Sequence, residues 1–188
     1  MLIMLRSSAM RLDGNLNATV EHASNQIWHA QQRLDAPEYM ETLVTNLVKD
    51  GHGRVRGAAL AFRPDYYPQK GRWYEPYAQW NDGDISVSQM GSAEHDYFQM
   101  EFYRAAITGD TLQWTTPYVD EVGAGSEVVT YSLPLRDASG EPVAVLGIDI
   151  ATDWISKSLR EIRGADSHHP AFRPQAAGGT GAAAAHRA

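Results

Sequence analysis

The sequence predicts an α+β fold: a central antiparallel sheet of about five strands, with a long N-terminal helix and further helices packed on one side. Three observations predict it. Leu12, Leu16, Val20, Ala23, Ile27, Ala30 and Leu34 recur at spacings of three or four and form one stripe. Two β-rich runs, SEVVTYSLPLRD (Ser126 to Asp137) and EPVAVLGIDIA (Glu141 to Ala151), flank a two-residue centre, Ser139-Gly140, that can turn the second strand back on the first. The elements run helix, helix, three strands, helix, strand, strand, helix, with no βαβ alternation to support a doubly wound sheet.

The first helix covers about Arg11 to Leu34, with Asn15, Asn17, Glu21, Asn25, Gln31 and Gln32 mostly off the apolar stripe. Asp35-Ala36-Pro37 breaks it, Asp35 suiting the N-cap of the next helix and Pro37 its first turn. That second helix, about Pro37 to Lys49, buries Met40, Leu43, Val44 and Leu47 and stops at Asp50-Gly51. Val55 to Phe62 is the first strand, mostly buried, ended by Arg63-Pro64-Asp65. After a loop, Trp73 to Trp80 is a second strand in which Pro76 marks an edge or a bulge. Its alternation points Trp73 and Tyr77 to one face, and Tyr74 and Trp80 to the other. Asn81-Asp82-Gly83-Asp84 is a turn, and Ile85 to Ser88 a third strand. A short helix spans about Asp96 to Ile107. Gln113 to Val119 is extended, the two β-rich runs follow, and Asp153 to Ile162 returns to helix. Beyond Gly164 the chain turns Ala/Gly-rich, so residues 164–188 read as a disordered tail.

With 188 residues, 43% of them hydrophobic and 21% charged, the chain is long enough for one domain with a real core. A net charge of −7 with scattered Lys and Arg argues against a nucleic-acid partner. The absence of cysteine removes disulfides, thiolate zinc sites and Cys nucleophiles together. The opening Met1-Leu2-Ile3-Met4-Leu5 is apolar but far short of the roughly 20 residues of a membrane span. Residues 1–7 fit either the last turn of a membrane helix or a plain apolar start.

Four features together resemble the Cache domains, PAS-like extracytoplasmic sensors of bacterial chemoreceptors, histidine kinases and membrane-bound phosphatases. They are the long amphipathic first helix; GAALAFRPDYY (Gly57 to Tyr67); QWTTPYVD (Gln113 to Asp120) followed by VVTYSLPLRDASGEPVAVLGIDI (Val128 to Ile150); and the closing helix from Asp153. The resemblance covers about residues 8–163 and is nearest to the membrane-distal module of double-module receptors of SpoIIE- or RsbU-like phosphatases and sensor kinases. It implies a PAS-like sheet, a small-molecule ligand, no catalytic role and no cofactor, and a membrane-anchored parent receptor with the domain outside the cytoplasm. A second module is expected shortly after Trp154 to Ile162, where the Ala/Gly tail stands instead, so the chain resembles a fragment or a one-module variant.

The amino-acid-binding pattern of that family has an Arg, one residue, then an aromatic pair, followed by Tyr-x-Asp and a late Asp. Here Phe102-Tyr103 matches the pair, Tyr118-Val119-Asp120 the Tyr-x-Asp, and Asp149 the late Asp. The Arg position holds Met100, which cannot grip a ligand carboxylate. The resemblance thus implies a ligand set of Tyr97, Phe102, Tyr103, Trp114, Tyr118, Asp120, Tyr131 and Asp149, with the two carboxylates on a ligand amine and the aromatic faces around it. Structural roles compete: Asp120 suits the start of a turn before Glu121-Val122-Gly123, and Asp149 a cap of the following helix, for which Asp153 is the better candidate. Arg72 and Arg104 suit surface ion pairs as well as a replacement for the missing Arg. Val122-Gly123-Ala124-Gly125 suits a lid rather than a phosphate loop.

Two other readings stand beside the sensor. A hydrolase using Asp120, Asp149 and His95 lacks any supporting motif, and His95-Asp96 is equally a turn feature. No spacing suits a metal site; His22 and His29 share a helix face without further ligands. A dimerising interaction domain would pair the stripe from Leu12 to Leu34 with its copy, which is compatible with a sensor whose ligand shifts the long helix.

Overall fold

A computed structural model of the chain describes residues 2–81, 83–109, 113–157 and 160. The Ala/Gly tail and Asp82 lie outside the described residues. Helix α1 (Leu2–Gln31) precedes α2 (Pro37–Asp50), and strands β1 (Val55–Phe62), β2 (Pro76–Asn81) and β3 (Asp84–Gln89) follow. A 3-10 turn at Tyr97–Gln99 leads into α3 (Glu101–Thr108). The chain then forms β4 (Gln113–Trp114), β5 (Tyr118–Asp120), β6 (Ser126–Arg136) and β7 (Pro142–Ala151), and residues 152–157 are helical.

All seven strands join one antiparallel sheet in the order β3-β2-β1-β7-β6-β4, with β5 also pairing β6. The two strands beyond the expected five are β4 and β5. The extended segment Gln113 to Val119 divides into two short ladders on β6, Trp114 opposite Tyr131 and Tyr118 opposite Val128.

Strand periodicity sorts the sheet's side chains onto two faces. Ala58, Leu60, Phe62, Ala78, Tyr131, Leu133, Leu135, Leu146, Ile148 and Ile150 share one core with α1 and α2. Ala61 and Val145, on the opposite face, pack with Tyr97, Phe102, Tyr103 and Ala106. Helices α1 and α2 therefore cover one face as expected, and α3 takes part of the other. Trp73 and Tyr77 do point away from Tyr74 and Trp80. Tyr74 is buried in the first core with its hydroxyl donated to Pro37 O at 2.7 Å, and Trp73 packs against the second core.

Two local expectations are corrected. The N-cap of α2 is Ala36 rather than Asp35, with no side-chain cap; Pro37 at the first turn lacks the N–H a cap would otherwise meet. The hairpin between β6 and β7 has a three-residue loop, Ala138-Ser139-Gly140, rather than a two-residue centre. Asp137 N donates to Glu141 O at 2.9 Å, Gly140 N donates to Asp137 O at 3.0 Å, and Gly140 sits at φ 86°. The Asp137 carboxylate holds the loop by accepting from Ser139 N, Ser139 Oγ and Glu141 N. On α1, Ala23, Ile27 and Ala30 of the apolar stripe are buried in the protein's own core, with Leu16 and Val20 packed against it. Trp28 on the same helix stands exposed at 58%. No helix among the described residues is long and apolar enough to cross a membrane.

Candidate ligand-binding site

The part of the second face not covered by α3 is hollow because its floor has almost no side chains. Gly57 and Ala59 on β1 and Gly147 on β7 lie in adjacent rungs, Ala59 paired with Gly147. A Cβ on Gly57 would collide with the Tyr77 hydroxyl and ring, so the hydroxyl end of that ring packs against Gly57. A Cβ on Gly147 would come within 3.3 Å of the Phe102 ring, which overhangs it from α3. The cavity above this floor holds about 370 Å³, the size of a small-molecule site. Its walls include Glu75, Tyr77, Met90, His95, Met100, Phe102, Tyr118, Asp120, Thr130 and Asp149.

One hydrogen-bonded chain runs along the wall. Asp149 on β7 is 6% exposed. Its Oδ1 accepts from Thr130 Oγ1 at 2.7 Å and its Oδ2 from the Tyr77 hydroxyl at 3.1 Å. Thr130 spends its single proton on that carboxylate, so the Tyr118 hydroxyl, 2.8 Å away, donates to Thr130. The Tyr77 oxygen also lies 3.5 Å from Asp120 Oδ2, bringing two carboxylates to one phenol. Burial pushes the Asp149 carboxyl up to about 7; the Thr130 bond opposes this, the Asp120 charge adds to it, and the Tyr77 bond opposes it. The Tyr77 and Tyr118 hydroxyls are pushed up by burial first, and then by Asp149, so both remain protonated donors.

Asp120 has two roles. It lines the cavity, and its carboxylate accepts from Gly123 N at 3.0 Å and Ala124 N at 2.6 Å, building the turn expected there. Gly125 at φ 62° closes that turn through its N–H to Asp120 O. A Cβ on Gly123 would strike Asp120, Tyr77 and Met90, so this loop sits directly over the carboxylate pair.

Of the eight residues expected at the site, Phe102, Tyr118, Asp120 and Asp149 line the cavity. The other four lie elsewhere. Tyr131 follows Thr130 and therefore points to the opposite face, into the core with α1 and α2. Trp114 pairs with Tyr131 across the ladder, its ring tilted against that of Tyr131 with centroids 4.8 Å apart, and is 44% exposed. Tyr97 is fully buried and donates its hydroxyl to Phe62 O at 2.6 Å. Tyr103 packs edge-on against Tyr97 and Phe98. Arg72 lies over the Trp73 and Phe98 rings, 5.7 and 5.4 Å from their centroids, and does not line the cavity.

Sequence reasoning missed Thr130, Tyr77 and Glu75 as wall residues, and His95 lines the same cavity with its Nε2 3.7 Å from Glu75 Oε2. Met100, at the position where the resemblance expects Arg, does line the cavity. Five lining residues are acids, Glu75, Glu101, Asp120, Glu121 and Asp149; none of the described lining residues is Lys or Arg. No group of described His, Cys, Asp or Glu side chains is arranged to hold a metal ion.

Residues 40–157 match the family of methyl-accepting chemotaxis protein-like receptors' first PDC sensor domain. No curated protein matches the chain. Among solved structures, methyl-accepting chemotaxis protein X superposes with a TM-score of 0.70 at 18% identity, over 85% of this chain and 64% of that one. The periplasmic sensory domain of the Campylobacter jejuni chemoreceptor Tlp1 gives 0.64 at 15% identity, over 85% and 62%. The ligand-binding domain of C. jejuni Tlp3 in complex with L-valine gives 0.64 at 13% identity, over 83% and 60%. The chain thus spans less than two thirds of the length of these solved proteins, and the likeness is one of fold.

Proposed function

Because the chain belongs to the family of first PDC sensor domains of methyl-accepting chemotaxis protein-like receptors, it is a small-molecule sensing domain, and we propose that it senses a ligand carrying a cationic nitrogen. The observation that carries this reading is the charge of the cavity wall. Asp149 and Asp120 meet at Tyr77, three further acids line the same space, and no described lining side chain is Lys or Arg. An ammonium between Asp120 and Asp149 gains two charge-assisted hydrogen bonds in a setting screened from water. The Phe102 ring and the Tyr118 ring at the rim offer π-faces to the same charge. A free carboxylate finds no guanidinium there, because Met100 fills the position that would supply it.

The parent protein is a receptor with this domain outside the cytoplasm. The periplasmic origin of the Tlp1 domain supports that reading. The loop from Glu121 to Gly125 acts as the lid over the bound cation. A thermal-shift screen of amines, amino acids and carboxylates against the purified chain tests the proposal. Amines should raise the melting temperature, and simple carboxylates should not. Stabilisation by carboxylates alone would overturn the cation assignment.

A further inference from the structure

The cavity has a second acidic pole that the Asp120–Asp149 pair does not use. Glu75, just before β2, is 1% exposed and lines the cavity, yet its Oε2 has no hydrogen-bond partner. Its backbone is fixed: Glu75 N donates to Gln89 Oε1 at 3.1 Å, and Met90 N donates to Glu75 O at 3.0 Å. The nearest base is His95, whose Nε2 lies 3.7 Å from Oε2, beyond hydrogen-bond reach but close enough to share a donor with it. Leaving a buried carboxyl oxygen unpaired costs about 1–3 kcal/mol, so a fixed orphan acceptor in a cavity wall calls for a donor from the ligand.

The two poles are separated along the ladder. Asp149 pairs with Gly57, Gly147 with Ala59 and Val145 with Ala61, while Tyr77 pairs with Ala59 on the other side of β1. Extending the β1–β2 register by two residues sets Glu75 opposite Ala61, in line with the bond from Phe62 N to Tyr74 O. Glu75 therefore stands four residues along the strand direction from Asp149, about 13 Å at the Cα level, a gap that converging side chains shorten. Ala59 and Gly147 lie on the rung between them, with Tyr77 paired to Ala59, and the apolar side chains of Met90, Met100 and Phe102 line the same cavity.

We propose that the ligand is an α,ω-diamine or a similar two-ended cation, with one nitrogen held by Asp120 and Asp149, the other by Glu75 and His95, and its methylene chain across the Gly147–Ala59 floor. This rests on the cation reading above and narrows it. An ammonium carries three donors, enough for Glu75 Oε2 and His95 Nε2 together. A monoamine would leave Glu75 unpaired.

The test is calorimetric titration of the ligand-stripped chain with the series from 1,3-diaminopropane to 1,8-diaminooctane, each against the linear monoamine of the same carbon number. At least one diamine should bind tenfold or more tightly than its monoamine, with a clear optimum in chain length. Glu75→Gln should weaken the best diamine at least tenfold more than it weakens the monoamine of the same carbon number. If wild-type diamines and monoamines bind alike, or if Glu75→Gln weakens both equally, the second pole is not a ligand contact and the inference fails while the cation site stands. If no amine of either kind binds, the cation reading itself falls. Should Glu75→Gln not fold, the wild-type comparison of chain-matched amines still decides.

Discussion

Replacing Asp149 by Asn removes one titrating proton and little else. The amide keeps an oxygen to accept from Thr130, and its NH2 can donate to the Tyr77 oxygen, so both present bonds have a substitute. In the folded protein burial holds the Asp149 carboxyl at about 7, against an ordinary 3.8. A carboxyl whose folded value is raised takes up a proton on folding between those two values. Its contribution to stability is complete below about pH 4, falls as pH rises through 7, and is flat above that. The full span is about 4 kcal/mol at 1.36 kcal/mol per pH unit, and the part lost between pH 5 and pH 8 is about 2.5 kcal/mol. For a domain of this size that corresponds to about 5–10 °C in melting temperature. Thermal melts of ligand-free protein across this range should show wild type losing that much more than Asp149→Asn, with the variant the more stable protein at pH 8. Glu75, raised well above the ordinary range by burial and then by the Asp149 and Asp120 charges, adds a fall in both proteins, a smaller one in Asp149→Asn, where the Asp149 charge is gone. Parallel melting curves, differing by a constant offset, would refute the buried, protonated Asp149 on which the reasoning depends.

Amine affinity should run opposite to stability. An ammonium needs Asp149 ionised, so association constants from calorimetry should rise up to tenfold per pH unit toward 7 and level off above about 8. Gly57→Ala should lower stability by about 1–3 kcal/mol in urea unfolding, because its methyl group displaces the Tyr77 ring, and it should weaken amine binding as well. Met100→Arg places a guanidinium in the cavity; amine affinity should fall at least tenfold, and α-amino acids should begin to stabilise the protein in thermal-shift assays.

The central strands were legible because burial leaves a plain mark: Val55 to Phe62 is a continuous apolar run, and its observed bounds are those expected. The strand holding Tyr77 was harder. Its aromatics suggested an early start at Trp73, but Pro76 has no N–H to give and the ladder begins there. Phe102, Tyr118, Asp120 and Asp149 follow from the family pattern, which also gives Tyr103, a residue that packs beside the cavity instead of lining it. Tyr97, Trp114 and Tyr131 rest on residue type, and type does not say which face a side chain takes. The signal for Thr130 was present. A turn centred on Ser139-Gly140 pairs Thr130 with Asp149, and cross-strand partners share a face. The actual loop is one residue longer, but the irregularity between Leu135 and Arg136 restores that same register. Alternation also puts Glu75 on the face of Trp73 and Tyr77, but nothing in the strand's residues marks that face as the cavity wall.

Strand β7 has a consequence of its own. It lies between β1 and β6, and its successive side chains belong to different compartments: Gly147 and Asp149 to the cavity, Ile148 and Ile150 to the core shared with α1 and α2. There is no intervening layer between what is recognised and what is mechanically connected to the long helix. Under the proposed cation site, a ligand that moved Asp149 would move Ile148 and Ile150 on the same backbone, and a close-packed core would have to shift its helices in response. The cavity wall and the helix-bearing core are two sides of a partition one residue thick.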